Sequence, residues 1–239
     1  DKPPTPPSLK ASAGESLGYV ASVQAVVHSI PALLLCAGYG LGVGIFYAVA
    51  TFLSQLVAPS HALDFHSTNI LGIVVVLAGV ICSAGCGAWL DADAGANAQE
   101  PKRVRVRRLL LGLFAAATAS LAAWTVVLRW DAVEAPALLF LTAGLVGATL
   151  TGIISPGFDM AVALTKPANE AAVAGLLNVA AQVAGGFLIW LASTPVFMGL
   201  PPPRAGQTLP VVRTEAQVFA TNVFMTCVVL LAGLLVCVK

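Results

Sequence analysis

Two amide side chains lie about one helical turn apart inside a long apolar stretch of the sequence. Asn178 and Gln182 occur in the segment GLLNVAAQVAGG, residues 175–186, which carries no charged residue. An amide in such a stretch can hydrogen-bond to a polar solute, a water molecule or a facing helix. At about 100° per residue, both amides share one side of a helix with Gly175 and Gly185. The opposite side is apolar, so the spacing predicts a two-faced helix whose amide side points into a helix bundle.

A tyrosine lies near the middle of another apolar segment, GYGLGVGIFYAVATFLSQ, residues 38–55. The ring of Tyr47 can present its π face to a cation, and its hydroxyl needs a partner away from water. Glycines precede it at alternate positions. Their spacing predicts close helix approach through the pairs Gly38/Gly42 and Gly40/Gly44. We therefore expect Tyr47 on a closely packed helix that can bend, as transporter helices do near the membrane midplane.

Two carboxylates fall inside or at the end of apolar segments. Asp159 follows SPG at residues 155–157, where proline and glycine should break or kink the helix. A carboxylate in a membrane segment is costly and indicates a function, although Lys166 nearby places Asp159 close to the segment end. Gating or structural pairing and direct contact with a substrate are equally favoured for it. Asp91 ends the motif GAWLD, and we expect it to brace a gate against helix ends or arginines.

The composition of the chain identifies the medium in which these groups act. Of the 239 residues, 58% are hydrophobic and 10% are charged, and the mean hydropathy is +0.90. Soluble domains carry about 25% charged residues, which they need to cover their surface. Six apolar segments each reach the ~20 residues that cross a bilayer core: 30–57, 68–90, 109–128, 136–164, 171–191 and 216–238. The sequence therefore predicts an all-α membrane protein with six transmembrane helices.

The basic residues predict the orientation of these helices. The loop after the second segment contains Lys102, Arg103, Arg105, Arg107 and Arg108. With this loop in the cytoplasm, nine of the twelve Lys and Arg residues and both termini lie on that side, as the positive-inside rule requires. The run PKRVRVRRLLL can also bind nucleic acid or anionic lipid. A topology signal directly before a transmembrane helix is the favoured interpretation, and we expect no nucleic-acid partner.

Motifs for enzymatic catalysis and for metal binding are mostly missing from the sequence. It contains no G-x-S-x-G, no H-E-x-x-H and no phosphate-binding loop. His61 and His66 flank Asp64 and could ligate a metal or haem iron, but a polar surface loop is the favoured interpretation. All five cysteines fall within predicted helices, which argues against a disulfide framework. We therefore expect no catalytic residue, no bound metal and no cofactor.

The chain begins with DKPPTPPSLKASAGES, a proline-rich stretch without a signal peptide. Such a stretch is typical of a semi-rigid, solvated linker. We expect residues 1–29 to form a cytoplasmic linker and helix lead-in, and residues 30–239 to form one six-helix transmembrane bundle. A chain that starts where a linker starts is expected to be a piece of a longer protein.

Several motifs, in order and at fitting spacing, resemble one family of membrane proteins. KPPTPPS, YGLGVGIFYAVATFLSQ, GAWLD and GFDMAVALTKPANEAAVAGLLNVAAQ are similar to stretches of the feline leukaemia virus subgroup C receptor (FLVCR) family of major facilitator superfamily transporters. The resemblance covers almost the whole chain. It implies the C-terminal six-helix half of a twelve-helix major facilitator fold, with the missing N-terminal half as its partner.

The resemblance also implies substrates and site residues. Family members are associated with haem transport and with uptake of choline and ethanolamine, and an aromatic box with glutamines holds the quaternary ammonium. Tyr47 matches the tyrosine of the family motif and Gln182 its glutamine. Glu170 matches the acidic residue of PANEAA, which we assign a gating or structural charge, and Asp159 stands where the family has a glutamate. The chain departs from the family at Ala163, where the motif has a second acidic residue.

These assignments define the expected mechanism. Two six-helix halves rock about a midplane site in alternating access, with no covalent chemistry in the protein. Tyr47 attracts a cation, while Gln182 and Asn178 hydrogen-bond to the solute, to water or to a facing helix. Choline or ethanolamine suits such a site better than a porphyrin dianion. Haem remains an alternative substrate because the family that the chain resembles is also associated with haem transport.

The alternative function is that of a non-transporting membrane receptor or assembly subunit. The amides would then only join helices, at ~0.6 kcal/mol each. In either case we expect a multi-pass protein in the lipid bilayer, in the plasma membrane or an organelle membrane.

Overall fold

The computed structural model describes residues 17–57, 64–96, 101–129, 136–194 and 214–237. Every regular element within these ranges is an α-helix, which confirms the predicted all-α class. In chain order the helices are α1 (Tyr19–Val27), α2 (Ile30–Val57), α3 (Phe65–Ala96), α4 (Lys102–Arg129), α5 (Pro136–Gly152), α6 (Ile154–Thr165), α7 (Glu170–Ala192) and α8 (Glu215–Cys237).

Six spans in the described ranges are long and apolar enough to cross a membrane, as the sequence predicts. They are α2, α3, α4, the stretch Pro136–Thr165 that contains α5 and α6, α7 and α8. Two of the helices start several residues before their apolar segments: α3 begins at Phe65 and α4 begins at Lys102. The reason is that hydropathy marks the bilayer core, whereas helical hydrogen bonding continues into the charged flanks.

The fourth span is interrupted where the sequence predicts a break. α5 ends at Gly152 and α6 begins at Ile154. Pro156 has no N–H to donate to the carbonyl oxygen of Gly152, while the N–H of Gly157 still donates to the carbonyl oxygen of Ile153 at 2.9 Å. The span therefore consists of two helices, and Asp159 lies on the second of them.

A short helix that the sequence analysis did not predict precedes the first span. The hydroxyl of Ser22, on α1, is fully buried, accepts a hydrogen bond from the backbone N–H of Asn169 at 2.9 Å and donates to the carbonyl oxygen of Gly18 at 3.0 Å. The N–H of Leu17 reaches the carbonyl oxygen of Pro167 at 3.4 Å. These contacts dock α1 on the connection between α6 and α7. Its nine residues are too few to span a membrane, so hydropathy does not reveal it.

α2 is the central helix of the described bundle, and α3 is its most exposed span. In their most apolar windows, 67% of α2 is buried against 17% of α3. Large apolar side chains of α3 are consequently exposed, among them Ile73, Val76, Leu77, Val80 and Ile81. The six-helix unit therefore presents a broad apolar surface that lipid or another part of the protein must cover.

The alternating glycines of α2 let three helices approach its backbone. Gly40 and Gly44 both face α7, as the predicted pair requires, and a Cβ at Gly40 would lie 2.9 Å from the carbonyl oxygen of Ala180. Gly38 instead faces α8, and Gly42 faces a phenylalanine ring of α4. The pair Gly38/Gly42 therefore does not form a single seam, because its two members face different helices.

Candidate functional site

The amide pair of α7 lies at the edge of the buried face of that helix. The residues turned toward the bundle recur every three or four positions and are small or apolar: Leu177, Ala181, Gly185 and Leu188. Asn178 and Gln182 each follow a member of this stripe by one residue, and both side chains are exposed. The expectation that the amides point into the six-helix bundle is therefore wrong, since they border the buried stripe and face outward.

Two of the residues that the spacing predicts on the apolar side of α7 do face away from the described bundle. Val183 is 68% exposed and Phe187 is 56% exposed, as expected for side chains that face lipid or another part of the protein. Leu176, predicted on the same side, is only partly exposed and packs against the core. α7 thus has a buried small-residue stripe, an exposed apolar side and an amide edge between them.

Neither amide of α7 has a hydrogen-bond partner within the described ranges of the chain. An amide that joined two helices of this unit would donate to or accept from a neighbouring helix. Asn178 and Gln182 therefore do not hold the described helices together. Their donors and acceptors stay available to a solute, to water or to a part of the protein outside these ranges.

Tyr47 packs directly against α7 next to this edge. A Cβ at Gly44 would lie 2.9 Å from the backbone nitrogen of Gly185, and one at Gly185 would lie 2.7 Å from Cδ2 of Tyr47. The close approach of two glycines thus brings the half-buried ring onto α7. Gln182 is three residues from this contact, or ~4.5 Å along the helix axis. The hydroxyl of Tyr47 has no hydrogen-bond partner among the residues that the structure describes.

A cleft opens between α2 and α3, one helical turn further along α2 than Tyr47. It has a volume of about 430 Å³, and its lining includes Ala50, one helical turn after Tyr47, and the exposed amide of Asn69. Asn69 is a candidate site residue that was not predicted from the sequence. Its signal is the same as that of Asn178, an amide within a predicted apolar segment.

Asp159 forms an ion pair with Lys102. Its Oδ1 lies 3.2 Å from Nζ of the lysine, and the two side chains are 37% and 52% exposed. The pair joins α6 to the first residue of α4 at the end of the bundle where the basic run begins. Of the two roles that the sequence left open for Asp159, this geometry supports structural pairing.

The other two candidate gate residues lie at the same end and are exposed. Asp91 has no ion pair or hydrogen bond with the residues that the structure covers, so the expected brace against an arginine is not seen there. Glu170 is the first residue of α7, directly after Asn169, whose Oδ1 accepts the N–H of Ala171 at 2.9 Å. A carboxylate at that position interacts favourably with the helix dipole.

The loop before α3 provides a helix cap rather than a ligand cluster in its described part. Oδ1 of Asp64 accepts the backbone N–H of Ser67 at 3.0 Å, and hydrogen bonds from Ser67 lower the pKa of that carboxyl. His66 is exposed beside it, and His61 lies outside the described residues. Within the described ranges, no three His, Cys, Asp or Glu side chains are grouped as a metal site would require. All five cysteines fall in these ranges and are free thiols.

The six spans, together with the relatives described next, define an integral multi-pass membrane protein, built as one half of a major facilitator fold. No protein-family model matches the chain. Over 190 residues it is 33% identical to the choline/ethanolamine transporter flvcr2a of Danio rerio, a match that covers 77% of this chain and 38% of that protein. The chain belongs to the feline leukaemia virus subgroup C receptor family, a family of transporters rather than of enzymes.

Two further relatives agree with this assignment. The choline/ethanolamine transporter FLVCR1 of Mus musculus is 31% identical over 211 residues, which are 86% of this chain and 35% of that protein. An uncharacterized MFS-type transporter of Caenorhabditis elegans is 29% identical over 195 residues, 80% of this chain and 31% of that protein. The chain spans about a third of the length of the curated relatives it matches.

Proposed function

We propose that this chain is the C-terminal half of a transporter that moves choline or ethanolamine across a membrane by alternating access. The observation that carries the proposal is the exposed amide edge of α7, which lies beside Tyr47 and has no partner within the described residues. The relatives indicate the solute, since flvcr2a of Danio rerio and FLVCR1 of Mus musculus are choline/ethanolamine transporters.

The chemistry of this edge suits a small organic cation with a hydroxyl group. The π face of Tyr47 attracts an ammonium, worth about 1–2 kcal/mol when water is excluded. The amides of Gln182 and Asn178 offer donors and acceptors to the hydroxyl of the same solute. Haem makes different demands, because its carboxylates need cationic partners, whereas the residues recorded against the ring of Tyr47, Gly185 and Phe46, carry no charge.

A second six-helix unit would complete the site. The exposed apolar sides of α3 and α7 need a cover, and an N-terminal half would provide it and would form the opposite wall of the cavity. The two halves would rock about the site, exposing it to each side of the membrane in turn. We place the protein in the plasma membrane, with the basic run and both ends of the chain in the cytoplasm.

The exposed carboxylates support a gate at the cytoplasmic end in this proposal. Asp91 and Glu170 lie at the end of the bundle that also carries the Lys102–Asp159 pair, and no described residue neutralises Asp91. Basic residues of the second half would pair with these carboxylates when the cytoplasmic side is closed. Their loss would then shift the population of open and closed states rather than the affinity for the solute.

The test is uptake of labelled choline and ethanolamine by liposomes that contain the full-length protein. We expect Tyr47→Ala to raise the KM for choline about tenfold, as the loss of ~1.4 kcal/mol requires, and Tyr47→Phe to preserve most of the affinity. Gln182→Ala and Asn178→Ala should weaken uptake as well. Val183→Ala is the matched control on the same helix, because it shortens an exposed apolar side chain next to Gln182.

The outcomes separate the alternatives. An unchanged KM in the Tyr47 and Gln182 variants would contradict the proposed binding site but not the proposal that the protein is a transporter. Uptake of haemin but not of choline would show that haem is the solute, and alternating access would remain the proposed mechanism. A protein that takes up none of these solutes, yet is folded, would support the receptor or assembly role instead.

A further inference from the structure

An apolar cleft with two arginines in its lining lies at the end of the bundle where α4 begins and α8 ends. It has a volume of about 250 Å³ and opens between α2, α4, α6 and α8. Its lining is otherwise apolar and comprises Pro31, Leu35, Val104, Met160, Leu164, Leu235 and Val236. The two cationic residues are Arg103 and Arg107, which are one helical turn apart on α4. The cleft therefore combines an apolar floor with a positively charged edge.

The positive charge of this edge is not neutralised within the described residues that surround it. Lys102 is held by Asp159, which leaves that carboxylate engaged. Arg107 donates to the backbone carbonyl oxygen of Cys237 at the end of α8, a contact that orients the guanidinium and supplies only the partial negative charge of a helix C-terminus. Arg103 is exposed, and no described carboxylate pairs with it. The cleft therefore has an uncompensated positive charge that an anionic ligand would neutralise.

We propose that this cleft binds an anionic glycerophospholipid of the surrounding membrane. The headgroup phosphate lies against the guanidinium groups of Arg103 and Arg107, and part of one acyl chain fills the apolar floor. Guanidinium forks match phosphate oxygens in geometry, and basic pockets between transmembrane helices are typical sites for anionic headgroups. A free phosphate would use the arginines alone and leave the apolar floor without an occupant.

The bound lipid would bridge four helices at one end of the bundle. Met160 and Leu164 belong to α6, the helix that follows the break at Ile153, and Leu35 and Pro31 belong to the central helix α2. A lipid seated between them would tie the second part of the broken span to the core. This role is compatible with the topology signal that the same basic run provides, and it does not depend on which solute the protein transports.

The experiment is native mass spectrometry of the full-length protein, released from detergent micelles that contain phosphatidylserine and phosphatidylcholine with identical acyl chains. We expect phosphatidylserine to be retained at least about fivefold over phosphatidylcholine, as a difference of ~1 kcal/mol requires, and the preference to vanish in Arg103→Gln/Arg107→Gln. Lys166→Gln is the matched control, because it removes an exposed cation at the same end that does not line the cleft.

A second variant tests the apolar floor without changing charge. Val104→Trp fills the cleft from a 44% exposed position that tolerates a large side chain, and we expect it to reduce retention of phosphatidylserine. It also keeps the test valid should the double arginine variant misfold. Equal retention by the wild type, the arginine variant and the tryptophan variant would overturn the proposal. Displacement of the lipid by equimolar glycerophosphoserine or inorganic phosphate would overturn it too, since those probes lack acyl chains.

Discussion

The ring of Tyr47 lies directly against the backbone of Gly185, so that a Cβ at position 185 would come within 2.7 Å of Cδ2 of the ring. This contact is possible because Gly44 of α2 and Gly185 of α7 approach each other without side chains between them. The two glycines therefore hold the ring of Tyr47 close to the amide edge of α7.

The first prediction concerns this contact. Gly185→Ala should displace the ring of Tyr47 or separate α2 from α7, and we expect it to lower the free energy of unfolding by about 1–3 kcal/mol and to raise the KM for choline. Gly186→Ala is the control, since position 186 is exposed and a Cβ there meets no atom within 4 Å. Thermal unfolding in detergent and uptake by liposomes measure both effects. Similar losses at the two positions would show that the contact is unimportant.

The second prediction concerns the ion pair between Lys102 and Asp159. Because its two side chains are 52% and 37% exposed, solvent screens it, and we expect a coupling energy of about 0.2–1 kcal/mol. The measurement is a double-mutant cycle of Lys102→Met and Asp159→Asn on thermal unfolding, repeated at high salt, where the coupling should shrink. A coupling that is large and independent of salt would mean that the pair is desolvated in the whole protein.

The third prediction concerns Asn222, a fully buried amide of α8 whose Oδ1 and Nδ2 have no hydrogen-bond partner among the described residues. An unsatisfied buried amide costs about 1–3 kcal/mol, so Asn222→Leu should raise the free energy of unfolding by a similar amount. Asn69→Leu, at an exposed amide of α3, should change it little. A decrease in stability on Asn222→Leu would reveal a partner from the rest of the chain or a bound molecule.

The fourth prediction concerns the break in the fourth span. Pro156→Ala restores an N–H that can donate to the carbonyl oxygen of Gly152, so we expect a more continuous helix and a gain in stability of up to about 3 kcal/mol. The turnover rate should fall if the break lets α6 move during transport. Pro136→Ala is the control, because Pro136 is the first residue of α5, where the missing N–H has no intrahelical partner. Faster turnover in Pro156→Ala would contradict a hinge role.

The sequence alone determined the features that depend on local chemistry. The six spans follow from the length and hydropathy of each segment, because a bilayer of fixed thickness selects for those two properties. The break at Ile153 follows from the ring of Pro156, whose missing N–H acts within the same turn. The short motifs around Tyr47 and Gln182 were enough to indicate the family.

Only the tertiary structure decided which face of each helix meets which neighbour. A helical wheel shows that Asn178 and Gln182 share a side, but the packing of α7 on α2 determines that this side lies at the edge of the buried stripe. The partner of Asp159 is 57 residues away in sequence, so no spacing rule within one helix could identify it. Such contacts arise because helices are joined by loops that do not encode their mutual rotation. The burial of small side chains between the helices selects that rotation.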